Sequence, residues 1–338
     1  MADRIRVALI GAGNLATSVH YPCLASLPDV ELAATCDLIE DKAKAAAEKF
    51  GIPRVFTDFE AMLEEVDPQV VYAITMPQHL YEPAATVLQQ GRHLFVEKPL
   101  GLTTKQAQML AYFAAENSCL TAVGFQRRHI PALTAMKAKL EKPGPIHQAT
   151  VSFLKGGRDL SAPAGIYGGA IDNLTCDMIH AVDNMRFLCG GEVEELAAHV
   201  CARYIPGPYN NEFTALASFS TGAVGVLNCS YVTGVGVFRV EFHGRDVSAY
   251  VDAASESFIK RDKDDSEFYE SKEFATKEGL PGDESLNWMG FWHEDRHFID
   301  CVKEGRQPST HFGDAVKSME LVERILQEGT DPTSPNYG

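Results

Sequence analysis

Arg6-Val-Ala-Leu-Ile-Gly11-Ala-Gly13-Asn-Leu-Ala16 decides the fold. Four apolar residues, Val7 to Ile10, run into the pattern G-x-G-x-x-A. The first glycine permits a tight strand-to-helix turn, the second lets backbone approach a pyrophosphate, and a small third residue lets the helix pack on its strand. A pyrophosphate would rest on the free N–H groups at the start of that helix, so Gly11, Gly13, Asn14 and Leu15 are the expected contacts. Such a turn can also be merely structural. Asp37 argues for the ligand, because it ends a second apolar run, Glu31–Asp37, and stands 24 residues beyond Gly13. That is close to the spacing of a carboxylate that holds the ribose hydroxyls. A 2′-phosphate would meet Asp37, Glu40 and Asp41 with no Arg directly after the aspartate, so NAD is expected rather than NADP, although Lys42 and Lys44 lie close by.

Outward from this turn, short apolar runs alternate with stretches at helical period. Gln69–Thr75, His93–Val96 and Cys119–Phe125 read as further strands, and Glu40–Phe50, Leu80–Gln90 and Thr104–Glu116 as helices. This alternation implies βαβ units in an α/β, doubly wound parallel sheet. Pro22 removes a helix N–H and should kink or restart the first helix. After residue 126 the pattern changes. A helix (His129–Glu141), a strand (His147–Lys155) and a long helix (Ile171–Leu188) precede the strand-like runs Val193–Tyr204, Glu212–Phe219, Ala223–Val232, Phe238–His243 and Val247–Val251. An α+β domain with an open, mostly antiparallel sheet is expected, closed by helices Phe291–Glu304 and Asp314–Glu328. The domain boundaries read as 1–126, 127–330 and a loose tail, 331–338. Phe213–Phe219 and Val224–Val232 show no charge on either face. Such a sheet is either an interface between subunits, giving a homodimer or homotetramer, or is covered by the chain's own helices.

The chain has 338 residues, 45% hydrophobic and 22% charged, which fits about two globular domains and excludes a disordered or fibrous protein. A net charge of −16 leaves no electrostatic footprint for nucleic acid or an anionic membrane. No apolar run is long enough to span a bilayer, and Val7–Ile10 is too short for a signal-peptide core. Eight scattered cysteines without a Cys-x-x-Cys pair read as reduced, buried thiols of a cytoplasmic protein, with no metal site expected.

The chemistry is expected at Glu97-Lys98-Pro99-Leu100, which follows the His93–Val96 strand. Ligands of open α/β sheets bind beyond the carboxyl ends of the strands, so Lys98 emerges toward the cofactor cleft. There the positive nicotinamide ring and desolvation both lower a lysine pKa. An amine tuned toward neutrality can take a proton from an alcohol as hydride leaves its carbon. In Ile171–Cys189, Ile171, Leu174, Met178, Val182, Met185 and Cys189 step by three and four, the mark of a core-facing stripe. Asn173, Asp177, His180 and Asn184 form a second stripe of short hydrogen-bonding groups, suited to gripping adjacent hydroxyls.

These residues resemble the Gfo/Idh/MocA oxidoreductases over nearly the whole chain. The likeness runs from the glycine turn through Met76–Tyr81, Gly91–Leu100 and Val123–Arg128. It continues through Gly168-Gly-Ala170 and Asp177–Asp183 to Phe298–Arg306. The resemblance implies a Rossmann domain followed by an open-faced sheet domain that often oligomerises. It also implies NAD(P)-dependent oxidation or reduction of sugars and cyclitols. Lys98 matches the family's catalytic lysine, and His180 with Asp177 its substrate-binding, proton-handling pair. The family's acidic residue usually stands four before the histidine, where this chain has Cys176. The loop Thr75-Met-Pro-Gln carries its threonine one place early, so Thr75, Met76, Pro77, Gln78 and His79 are all candidates for the cofactor, as are Glu97, Lys98 and Gln126. Lys98, Arg128, Tyr167, Asn173, Asp177 and His180 are candidates for the substrate. Arg127 and Arg128 either anchor a carboxylate or sugar hydroxyl of the substrate or brace the domain junction. Tyr167, Trp292 and His293 are further candidates for the cleft, while His20 and His79 read as structural or as supports of the site rather than as catalytic. An NAD-dependent dehydrogenase of a sugar, glycoside or cyclitol is expected. Glycoside cleavage through a transient 3-keto intermediate, and a non-catalytic NAD-binding sensor, remain as alternatives.

Overall fold

The computed structural model describes residues 4–156, 171–204, 210–252, 254–263, 265–270 and 285–330. Over these, the chain forms two compact units, Met1–Gln126 with Gly279–Val316, and Arg127–Glu278 with Lys317–Gly338.

In the first unit, β1 (Ile5–Ile10), β2 (Val30–Cys36), β3 (Val55–Phe56), β4 (Val70–Ala73), β5 (His93–Val96) and β6 (Thr121–Val123) form a parallel sheet in the order β3-β2-β1-β4-β5-β6. Val7, Leu9, Tyr72 and Phe95 are fully buried, because helices cover both faces of a parallel sheet. Helices Glu40–Phe50 and Thr104–Glu116 lie where the periodicity puts them. The two-residue β3 and the helix Phe59–Val66 are additional, too short to leave a clear period. The first helix restarts at its proline: Ala16–His20 is a π-helical turn, and Tyr21–Ala25 continues as α-helix with Pro22 in its first turn. In a regular α-helix the proline ring would strike the carbonyl four residues back, and the wider turn avoids it.

One assignment is corrected. The helix Phe291–Glu304, read from sequence as part of the second domain, belongs to the first unit. Phe298 and Ile299 lie in the same core as Leu9, Tyr72 and Phe95, with the Phe298 ring edge-on to Tyr72 at 5.8 Å. Its apolar face, repeating at three and four, needs a hydrophobic partner, and the sheet core supplies one.

In the second unit, β7 (Gln148–Gly156), β8 (Val193–Cys201), β9 (Glu212–Phe219), β10 (Val224–Thr233), β11 (Val237–Gly244), β12 (Val247–Asp252), β13 (Glu256–Lys260) and β14 (Ser266–Glu270) form one sheet in the order β14-β13-β12-β11-β7-β10-β9-β8. β7 and β10 pair in parallel and the other neighbours antiparallel. The helix Ile179–Cys189 packs on β7 and β10. Accordingly Phe213, Ala215, Ala217 and Phe219 are buried, while Thr214 and Leu216 on the opposite face are exposed. Among the described residues, then, this uncharged face is uncovered. The predicted continuous helix 171–188 is instead a π-helical segment, Leu174–Met178, followed by α-helix Ile179–Cys189. The 331–338 tail and Gly168-Gly-Ala170 lie outside the described residues. All eight cysteines are free, and only Cys201 is not buried. No helix among the described residues is long and apolar enough to cross a membrane.

Candidate active site

In the first unit the carboxyl ends of β1, β2, β4 and β5 carry the predicted residues. The strand order reverses between β1 and β4, the position where open α/β sheets bind their ligands. Gly11 has φ +102°, and a Cβ there would lie 2.2 Å from the Ile74 carbonyl oxygen, so only glycine fits. A Cβ on Gly13 would meet no protein atom within 4 Å. The second glycine therefore faces room that the protein itself does not fill. Asn14 and Leu15 are exposed at the start of the helix.

Asp37 is half-buried and locked: Ala12 N–H donates to its Oδ2 at 2.8 Å and Ile39 N–H to its Oδ1 at 2.9 Å. Each carboxylate oxygen keeps a lone pair for a further donor. After β4, Thr75 Oγ1 is a buried oxygen without a hydrogen-bond partner among the described residues. Met76 is exposed, Pro77 buried, and Gln78 and His79 exposed on the turn that Pro77 opens. The open space at Gly13, the anchored carboxylate of Asp37 and the unsatisfied hydroxyl of Thr75 all fit a dinucleotide along this edge.

After β5, Glu97 is buried and Lys98 half-buried, joined to Pro99 by a cis peptide bond. The Lys98 backbone N–H donates to Glu97 Oε2 at 3.1 Å. Gly124, between β6 and Gln126, leaves room for that carboxyl, since a Cβ there would approach it to 2.9 Å. Gln126 itself is buried. Behind Glu97 lies a group that sequence reasoning did not assemble. His20, fully buried, faces Glu97 Oε1 through Nε2 at 3.1 Å and Asp295 Oδ1 through Nδ1 at 3.0 Å. Burial alone would push the imidazole pKa down, but the two carboxylates more than offset this and hold it up at about 10. Asp295 was legible in part, since Glu294 and Asp295 occupy the face between Phe291 and Phe298 that should be apolar. Trp292 and His293 are committed within this unit, Trp292 Nε1–H donating to Ser26 Oγ at 3.0 Å and His293 pairing with Asn287 at 2.7 Å.

In the second unit, Asn173, Asp177, His180 and Asn184 are all buried. Asp177 Oδ2 accepts from Lys155 Nζ and from Tyr231 OH, the latter at 3.0 Å. These two partners, at the end of β7 and on β10, carried no sequence signal. Asn173 donates to the Asn210 carbonyl at 2.8 Å and Asn184 to the His180 carbonyl at 3.0 Å. The π-helical segment brings one extra residue into the turn bearing Asp177, so the polar stripe does not follow a regular α-helical period. Arg128 gives its guanidinium fork to Asp183, with Nε to Oδ2 at 2.6 Å, and Ser318 links that carboxylate to Arg186. Arg127 lies between the Phe153 and Phe238 rings, 4.4 and 4.0 Å from their centres, its pKa lowered by burial to about 10. Tyr167 lies outside the described residues.

Comparison with known proteins matches both units. An oxidoreductase family with an NAD-binding Rossmann fold is recognised over residues 5–125, and the GFO/IDH/MocA C-terminal domain over residues 141–250. The chain is 25% identical to scyllo-inositol 2-dehydrogenase (NAD(+)) of Bacillus subtilis (strain 168), over 95% of this chain and 93% of that one. It is 37% identical to D-glucoside 3-dehydrogenase of Escherichia coli (strain K12), over 37% of this chain and 35% of the relative. Among solved structures, GenD2 from gentamicin A biosynthesis, in complex with NAD, superposes with a TM-score of 0.78 at 26% identity, covering 98% and 95% of the two chains.

Proposed function

The chain belongs to the Gfo/Idh/MocA family of NAD-dependent oxidoreductases, and from that premise we propose that it oxidises a secondary alcohol of a sugar, glycoside or cyclitol, or reduces the matching ketone. The observation that carries this reading is Lys98, which follows β5 on the same carboxyl edge as the glycine turn and Asp37. Gly11, Gly13, Asn14, Leu15, Asp37, Thr75, Met76, Pro77, His79, Glu97 and Gln126 would hold NAD, which supplies the hydride acceptor. NAD is favoured over NADP because Asp37 is followed by Leu38 and Ile39, with no guanidinium for a 2′-phosphate.

Lys98, as the neutral amine, takes the hydroxyl proton as the substrate carbon is oxidised, and His180 shares its handling. Asp177 and Asn173 orient the neighbouring hydroxyls. Lys155 and Tyr231 fix the Asp177 carboxylate from the side, which supports a positioning task for it. The names of the relatives, an inositol dehydrogenase and a glucoside dehydrogenase, support a polyhydroxylated ring as substrate. The uncharged face of β9 and β10, which no described residue covers, supports a homo-oligomer built through this sheet.

The test is NADH formation from NAD⁺ across a panel of inositols, sugars and glycosides. Lys98→Met should lower kcat by about 10²–10⁴-fold while NADH still binds. Equal turnover by wild type and Lys98→Met would remove the lysine from the mechanism. Substrate consumption without net NADH would instead favour glycoside cleavage.

A further inference from the structure

The chain Asp295–His20–Glu97 ends on the backbone of Lys98. Its contacts join residues 275 positions apart, all three side chains are buried, and both ring nitrogens of His20 face a carboxylate oxygen. Carboxyl oxygens on either side favour donation from both nitrogens, and with the ring pKa raised to about 10 they hold it as an imidazolium. Glu97 is thereby committed twice, through Oε1 to His20 and through Oε2 to the Lys98 N–H. The Glu97 carboxyl also fills the space left by Gly124, which fixes its position from the far side. The rings of Tyr72 and Phe95 enclose His20 at 6.0 and 5.0 Å, the Tyr72 hydroxyl acts on Asp295, and Asp295 and Glu294 both act on Cys23. A buried charged triad is costly to keep when a hydrophobic core of similar volume would serve stability as well.

We propose that Asp295, His20 and Glu97 are positioning residues for Lys98, fixing its backbone and keeping the Glu97 carboxylate engaged away from its ammonium group. This rests on the reading of Lys98 as the proton-transferring amine, since without that role the device would serve nothing. Release of Glu97 from His20 leaves a carboxylate one residue from the amine and free to pair with it. An opposite charge at such range stabilises the protonated amine and raises its pKa.

Lysine labelling tests this without a substrate. The full-length protein is pulsed with 2,4,6-trinitrobenzenesulfonate over a pH series, and the modification of Lys98 is followed by peptide mass spectrometry, with Lys317 as internal reference. His20→Gln should shift the Lys98 midpoint upward by about one unit, about a tenfold slower labelling at pH values below both midpoints. His20→Gln/Glu97→Gln should return the midpoint to that of the wild type, a rescue that general loosening of the fold would not produce. If His20→Gln does not fold, Asp295→Asn should shift the midpoint in the same direction. An unchanged Lys98 midpoint in a folded variant overturns the proposal, as does failure of both variants to fold, which would assign the triad to stability alone. The reading of Lys98 fails separately, if Lys98→Met turns over like the wild type whatever the labelling shows.

Discussion

Gly11 and Gly13 sit two residues apart in one turn, yet they answer to different constraints. Gly11 is demanded by the protein, through its φ of +102° and the Ile74 carbonyl 2.2 Å from where a Cβ would stand. Gly13 is demanded by nothing in the protein, since a Cβ there meets open space. Gly11→Ala should therefore destabilise the first unit by about 1–3 kcal/mol, whereas Gly13→Ala should keep the wild-type Tm and bind NADH about tenfold more weakly or worse. Thermal unfolding paired with NADH fluorescence titration separates the two, and undiminished NADH binding by Gly13→Ala would count against the cofactor assignment. Asp37 and Lys98 were legible from sequence because each stands at a set distance beyond a strand end, where local order alone determines position. Arg128 was not. Its neighbours in sequence do not show that Asp183, 55 residues on, takes its guanidinium.

The elements repeat this lesson at a longer period. Regular helices such as Glu40–Phe50 and Thr104–Glu116 declare themselves through caps and periodicity. Of the π-helical turns, Ala16–His20 is announced by Pro22 just beyond it, whereas Leu174–Met178 has no such mark. Phe291–Glu304 is the instructive helix, for it brings Asp295 against His20 in the first unit. The folded-state pKa of His20, about 10, lies above its ordinary 6.5, so the native state holds a proton that the unfolded chain gives up between these values. The stabilisation is thus fully present below pH 6.5 and is lost as pH rises through about 10. The Tm advantage of wild type over His20→Gln should be greatest at the acid end of this window and shrink toward its alkaline end. A pH-independent difference would mean that the ring is not protonated in the folded protein.

For the whole molecule, the uncharged face of the second sheet matters most. Leu216 is 51% exposed, and Thr214 and Val224 beside it are exposed too. A homo-oligomer built here should be broken by Leu216→Glu, which puts a charge into the interface core, and sedimentation velocity should show the variant moving to monomer with its Tm nearly unchanged. A wild-type chain that sediments as a monomer would remove this role from the sheet. Sequence by itself determined the α/β half, the glycine turn after β1, the Asp37 carboxylate beyond β2 and the strand end that Lys98 follows, because each is written in spacings of a few residues that strand and helix geometry convert directly into position. Only the tertiary structure decided that a helix near residue 300 completes the first unit, that His20 is clamped between two carboxylates, and that among the described residues one sheet face stays uncovered. Those outcomes depend on which buried surfaces find each other across hundreds of residues, and burial energy, being non-directional, leaves no local mark of its partner.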